Sequence, residues 1–248
     1  MTHETDDTPA APNGAPWRNF YGRRHGKRMS GRQKDLLETR LAALSPGAVT
    51  RAENPERNPL ELAGLCGGRD RLWLEIGFGG GEHMIAQAEA NPEATLIGCE
   101  PFVNGVAKLL AAIDSAHGGS GLPNLCLHAG DARDVMEVMP AASVDRVFLL
   151  YPDPWPKRRH HKRRFVNAEN LDQLARLMAP GAHLRVATDI EDYVRHTLVE
   201  TRRDGRFRWL AERAADWRTP WPDWPGTRYE AKALREGRRP HYLTFARI

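Results

Sequence analysis

Leu72-Trp73-Leu74-Glu75-Ile76-Gly77-Phe78-Gly79-Gly80-Gly81 is an apolar run that breaks off into glycines. A short run of this kind reads as a buried strand over residues 71–76. Glycines directly after it permit unusual φ and let a ligand approach the backbone. Residues 82–90 then show helical spacing and stop before Asn91-Pro92. Working outward, strands are predicted over 95–99, 125–128, 144–150 and 183–187, and helices over 103–115, 168–178 and 190–201. Strand-helix alternation implies a parallel sheet with helices on both faces, the α/β class. Residues 206–210 and 241–245 read as two further strands. The long segment between them is rich in Trp and Pro (Trp217, Pro220, Trp221, Pro222, Trp224, Pro225) and is too long for a hairpin turn. A helix is also predicted over 33–44, where apolar residues fall at 36, 37, 41 and 44.

The glycine spacing is GxGxG through Gly77, Gly79 and Gly81, whereas a dinucleotide fingerprint needs GxGxxG and would require glycine at Glu82. Glu75 stands two residues before the first glycine. An acid there favours a ligand with a positive amino or sulfonium group and repels a pyrophosphate. Glu100 ends the second strand, where an acid accepts from ribose hydroxyls. Asp131 follows the third strand and could meet an adenine amino group. Each acid alone also reads as a helix N-cap. Their recurrence at successive strand ends points to a nucleoside pocket.

The fourth strand runs into Pro152-Asp153-Pro154-Trp155-Pro156-Lys157-Arg158-Arg159-His160-His161-Lys162-Arg163-Arg164. Prolines end the strand and fix φ on both sides of Asp153. Six of the eight residues from Lys157 to Arg164 are Lys or Arg. A rigidly placed acid beside a dense cationic loop suggests chemistry on a polyanion; the alternative is a solvated basic loop. His160 and His161 sit among cations that would repel a metal ion, so no metal site is expected.

The 248 residues carry a formal net charge of +4, unevenly spread. Residues 1–16 are acidic, rich in Thr, Pro and Ala, and expected to be disordered. Residues 17–68 form a basic arm, a helix and a connector. Residues 18–32 hold six Lys or Arg and no acid, and mix them with Phe20 and Tyr21. That mixture suits phosphate contacts and base stacking, or else a merely soluble tail. Residues 69–248 carry the α/β pattern and are expected to be the catalytic domain. Cys66, Cys99 and Cys126 lack zinc spacing and read as buried thiols in a reducing compartment. With neither a signal peptide nor an apolar stretch long enough to span a bilayer, a soluble cytoplasmic protein is expected.

The glycine loop with Glu75, Glu100 and Asp131 resembles class I S-adenosylmethionine-dependent methyltransferases. Pro152 to Lys157 with His160 to Arg164, Ala187-Thr188-Asp189, and Thr227-Arg228-Tyr229-Glu230 resemble the bacterial tRNA (guanine-N7)-methyltransferase family, from about Arg18 to the C-terminus. The Pro-Asp-Pro-Trp-Pro-Lys segment is specific to it and the glycine loop is generic; Tyr229 stands where Phe is expected. The resemblance implies a Rossmann-like fold with a seven-stranded, mostly parallel sheet, helices on both faces and an antiparallel C-terminal strand. It implies methyl transfer from S-adenosylmethionine to guanine 46 of the tRNA variable loop, with tRNA as partner. Asp153 is then the catalytic residue, beside both donor and base. Lys157, Asp189, Thr227, Arg228, Tyr229 and Glu230 are expected at the substrate; for Asp189 a helix cap is the alternative. Arg159, His160, His161, Lys162, Arg163 and Arg164 are expected on RNA. Two rival readings share the fold: a methyltransferase for another RNA or a small molecule, and a non-catalytic RNA-binding protein. Monomer and homodimer both remain open.

Overall fold

β1 (Arg71–Ile76) is buried from Leu72 to Ile76, as a strand covered on both faces must be. The structure is a computed structural model and describes residues 20–65, 70–118 and 121–248; the acidic segment 1–16 therefore lies outside the described residues. β1 pairs in parallel with β2 (Ala94–Cys99) on one side and β4 (Val144–Leu150) on the other. β2 continues to β3 (Leu125–His128), and β4 to β5 (Met178–Thr188), again in parallel. β7 (His241–Arg247) runs antiparallel to both β5 and β6 (Phe207–Trp209). The order is β3-β2-β1-β4-β5-β7-β6, so the expected seven-stranded, mostly parallel sheet is present. The chain builds outward from β1 to β3 and then crosses back to β4. That reversal opens a crevice at the carboxyl ends of β1 and β4, the place where α/β sheets bind ligands.

Helices α1 (Gly31–Leu44), α2 (Glu82–Ala90), α3 (Val103–His117), α4 (Ala132–Val138), α5 (Ala168–Leu177), α6 (Glu191–Asp204), α7 (Ala215–Arg218) and α8 (Arg228–Arg235) complete the described chain. Side chains alternate across each strand. Leu72, Leu74 and Ile76 of β1 join a core with Val135, Leu174 and Leu243. Trp73 faces the other way, with Met84, Leu109 and Phe148. Leu36 of α1 is buried in this second core, and Arg32 pairs with Asp114 of α3 at 2.6 Å.

The sequence pattern misses three helices. α4 and α7 are short, with seven and four residues, too few to display a clear period. α8 lies inside the Trp- and Pro-rich segment. β5 begins five residues earlier than expected, because Ala179-Pro180-Gly181 continues the strand and not a turn. Cys99 is a buried free thiol, but Cys126 is disulfide-bonded, which corrects the expectation of three thiols; cysteine spacing carries no pairing information. No helix among the described residues is long and apolar enough to cross a membrane.

Candidate active site

A cavity of about 530 Å³ opens at the carboxyl ends of the central strands. Ile76, Gly77 and Gly79 reach it from β1, Glu100 from β2, Asp131 from the turn after β3, and Tyr151 and Asp153 from the end of β4. Gly79 has φ +62, a region most side chains avoid. Its N–H donates to Glu100 Oε2 at 2.7 Å. Glu100 Oε1 accepts from Phe102 N at 2.8 Å. The acid at the end of β2 thus ties the glycine loop to the entry of α3. Each of its oxygens keeps acceptor capacity for a further donor. Burial raises the Glu100 carboxyl above its ordinary range, backbone N–H groups of Phe102 and Gly79 oppose that, and Asp153 adds to it. Gly81 has a different task from the one expected. It does not line the cavity, and a Cβ on it would come within 2.2 Å of Leu109, so it lets α3 pack against the loop.

Glu75, expected at the donor, has a histidine partner. It points to the α2 side of β1, where strand alternation sends Trp73 as well. Its Oε2 lies 2.6 Å from His83 Nδ1, and both side chains are 2% exposed. The His83 ring packs on Phe148 and Trp224. This buried pair braces α2 and stands outside the cavity. Asp131 does line the cavity, and it is also the cap of α4. It accepts from Arg133 N at 3.0 Å and pairs with the Arg133 guanidinium at 2.5 Å.

Asp153 faces the cavity, and no hydrogen bond or ion pair among the described residues engages its carboxylate. The surrounding protein nevertheless desolvates it and raises its carboxyl above the ordinary range. Two non-glycine residues in the left-handed region flank it, Tyr151 with φ +49 and Trp155 with φ +42. The prolines between them cannot supply backbone donors.

The cationic segment splits by position. Residues Arg158–Arg163 form a 3-10 helix capped by Lys157. Lys157 and Arg159 are exposed and stand outside the cavity. Lys162, Arg163 and Arg164 line it. His160 packs edge-on to Trp155; desolvation, then the charges of Arg163, Arg159, Lys157 and Lys162, push its ring below the ordinary histidine range. His161 is partly buried, 3.7 Å from Asp192. Arg164 is expected on RNA, yet its side chain is 1% exposed and ion-paired with Asp192.

The C-terminal residues divide likewise. Arg228 and Tyr229 line the cavity, and Arg228 pairs with Glu82 at 3.1 Å. The rings of Tyr229 and Tyr151 lie 6.4 Å apart at 21°. Thr227 caps α8 by accepting from Glu230 N at 3.1 Å and stays outside the cavity. Glu230 is buried and accepts from Trp224 Nε1 at 2.7 Å and from Tyr242 OH. It anchors α8 to β7 and stands outside the cavity lining. Asp189 neither caps α6, whose N-cap is Ile190, nor lines the cavity; it pairs with Arg238.

Sequence reasoning did not place the N-terminal arm here. Phe20, Tyr21, Gly22 and Arg23 line the cavity. Arg163 lies over Tyr21 at 4.3 Å and over Trp155 at 5.0 Å. Asn104 holds the arm, accepting from Gly26 N at 2.7 Å and donating to Lys27 O at 2.8 Å. The aromatic-cationic composition of residues 18–28 is the available signal, and it does not say which surface the arm meets.

These residues fit S-adenosylmethionine. The cavity offers a glycine-lined floor, a strand-end acid with spare acceptor capacity, and a second acid with no partner among the described residues. Comparison with known proteins agrees. Residues 69–243 match the model of a family described as "Putative methyltransferase". A tRNA (guanine-N(7)-)-methyltransferase of Roseobacter denitrificans is 63% identical over 94% of this chain and 97% of its own. One from Brucella anthropi is 50% identical over 92% and 94%. Among solved structures, the 16S rRNA methyltransferase KamB superposes with a TM-score of 0.51 at 19% identity, over 73% of this chain and 89% of its own. An antibiotic-related methyltransferase gives 0.53 at 16%, over 80% and 94%. These last two share the fold alone. Sheet order, glycine loop and strand-end acids define a class I S-adenosylmethionine-dependent methyltransferase. Within that class, the chain belongs to the bacterial tRNA (guanine-N7)-methyltransferase family.

Proposed function

We propose that the protein methylates N7 of guanine 46 in the variable loop of tRNA. The observation that carries this reading is the unpartnered Asp153 carboxylate, held in the cavity beside a cationic rim. S-adenosylmethionine supplies a sulfonium-bound methyl group, an electrophile that guanine N7 accepts through a lone pair without first losing a proton. No general base is then required of the chain. What the chain must supply is position and charge. Holding reactants in a near-attack pose contributes on the order of 7–11 kcal/mol. Asp153 can accept from guanine N1–H and the 2-amino group. Those bonds strengthen as the purine ring becomes positive, so they favour the transition state over the ground state. Glu100 accepts from the donor's ribose hydroxyls while its other contacts hold the glycine loop. Tyr151 and Tyr229 offer ring faces to an unstacked base, as base-modifying enzymes require. Lys157, Arg159, Lys162 and Arg163 take the phosphates on either side.

The position is tested with tRNA transcripts that differ at one nucleotide. A transcript with guanine 46 should accept one methyl group, and the same transcript with adenine 46 should accept none. Equal methylation of both would refute the assignment to position 46.

A further inference from the structure

Arg164 is the most deeply buried arginine among the described residues, at 1% exposure. A charge so buried persists only when it is paired and hydrogen-bonded. Its Nη2 pairs with Asp192 on the first turn of α6. Its Nε donates to the carbonyl of Pro154 at 2.9 Å. The guanidinium lies 5.5 Å from the centre of the Tyr193 ring, and the Arg164 carbonyl accepts from Asn167 Nδ2 at 2.9 Å. Pro154 directly follows Asp153. The five residues 151–155 hold two non-glycine left-handed conformations, at Tyr151 and Trp155. Such backbone persists only where its surroundings over-determine it. At the β4 end of this segment, Tyr151 N donates to Ala187 O at 2.8 Å. At the far end, Arg164 supplies the hydrogen bond, to Pro154 O, beside ring contacts of Trp155 with Tyr21, His160 and Arg163.

We infer that Arg164 and Asp192 are positioning residues: together they latch the strained 151–155 segment and fix where the Asp153 carboxylate stands. The inference rests on the proposed role of Asp153 at the guanine. It also takes Arg164 out of the RNA-contacting set, since its charge is already matched by Asp192 and its side chain, at the cavity wall, is only 1% exposed. Asp192 acts through Arg164 and touches neither donor nor base. It sits at the start of the helix that follows β5, so the latch joins the carboxyl ends of two adjacent strands.

The test compares Arg164→Lys, Asp192→Asn and the double variant with the parent. Lysine keeps the charge but cannot serve Pro154 and Asp192 at once in the guanidinium geometry. Asparagine keeps the shape of Asp192 and removes its charge. Measured quantities are kcat, KM for tRNA, donor affinity by calorimetry, Tm, and tRNA affinity across a salt series. Each single variant should lower kcat by roughly 10- to 100-fold, the scale of a misplaced reactive group. KM for tRNA, donor affinity and the salt slope should stay within error. The double variant should be no worse than the poorer single, because both remove one latch. An Arg159→Ala control should instead make the salt slope shallower. Weaker tRNA binding with a shallower slope in Arg164→Lys would overturn the inference in favour of RNA contact. A lower Tm with unchanged kcat per folded molecule would overturn it in favour of stability alone. If Arg164→Lys does not fold, Asp192→Asn decides by itself, since its side chain is 52% exposed. Asp153→Asn, measured alongside, separates the two layers. An inactive Asp153→Asn with a fully active Asp192→Asn overturns the latch only. An active Asp153→Asn overturns the role of Asp153 and the latch with it.

Discussion

Two carboxylates share the cavity and are held in opposite ways. Glu100 accepts one backbone N–H at each of its oxygens, whereas Asp153 has no partner among the described residues. Removing Glu100 should therefore disturb the donor site. Glu100→Ala strands the N–H groups of Gly79 and Phe102, at about 1–3 kcal/mol for each one left unsatisfied. Donor affinity should fall by roughly tenfold or more on that scale, with tRNA affinity kept. Unchanged donor binding in calorimetry would show that Glu100 only holds the loop. Asp153→Asn should lower turnover on the order of 100-fold, as loss of one preorganised charge-stabilising group does, and should leave donor binding intact. Desolvation by the cavity wall raises the Asp153 carboxyl in the folded state, although the residue is exposed at the cavity mouth. A raised carboxyl favours the protonated fold, so its destabilising contribution is present above the folded pKa and relieved as pH falls through it. Asp153→Asn should thus raise Tm at neutral pH while it removes activity. The acid limb of kcat/KM should also lie above the ordinary carboxylate range. A lower Tm in the Asn variant, or an acid limb at the ordinary carboxylate value, would contradict this account of the residue.

Among the elements, α8 and the 3-10 helix decide which side chains face the cavity. Glu230 fixes α8 through Trp224 and Tyr242, and α8 carries Arg228 and Tyr229 into the wall. Tyr242→Phe removes one of these bonds without changing shape. It should destabilise by about 0.5–1.5 kcal/mol, or up to 1.5–3 for a bond to a charged group, and leave the salt dependence of tRNA binding alone. A shallower salt slope would place Glu230 or its partners on the RNA. For the basic segment, Arg159, Lys162 and Arg163 to Ala should reduce the slope of log K against log salt. Each lost phosphate contact contributes about 0.7–0.9, so the reduction should reach roughly 2–3. A slope within error of the parent would make this a solvated face. The same elements show what sequence can and cannot reveal. β1 to β5 were legible because strands buried on both faces read as apolar runs. The Thr227-x-x-Glu230 spacing is a capping-box signature that marks α8, while the family resemblance points the same residues at the substrate. Arg164 was not legible: six cations in eight residues read alike until the fold buries one of them.

For the whole molecule, the reversal of strand order between β1 and β4 gathers residues distant in sequence at one sheet edge. Tyr21, Gly79, Glu100, Asp153 and Tyr229 all reach one cavity. Sequence pattern anticipated that edge, because acids and glycines recur at successive strand ends. It did not anticipate the arm, because composition records which contacts a segment can make and not where it lies. The central claim is that this edge brings a methyl donor to guanine N7. The direct measurement is to incubate the protein with tRNA and isotope-labelled S-adenosylmethionine, digest the tRNA, and identify the labelled nucleoside by mass spectrometry. The account predicts that the label is recovered as N7-methylguanosine. Recovery in any other nucleoside, or no transfer from a protein that binds the donor, would contradict it.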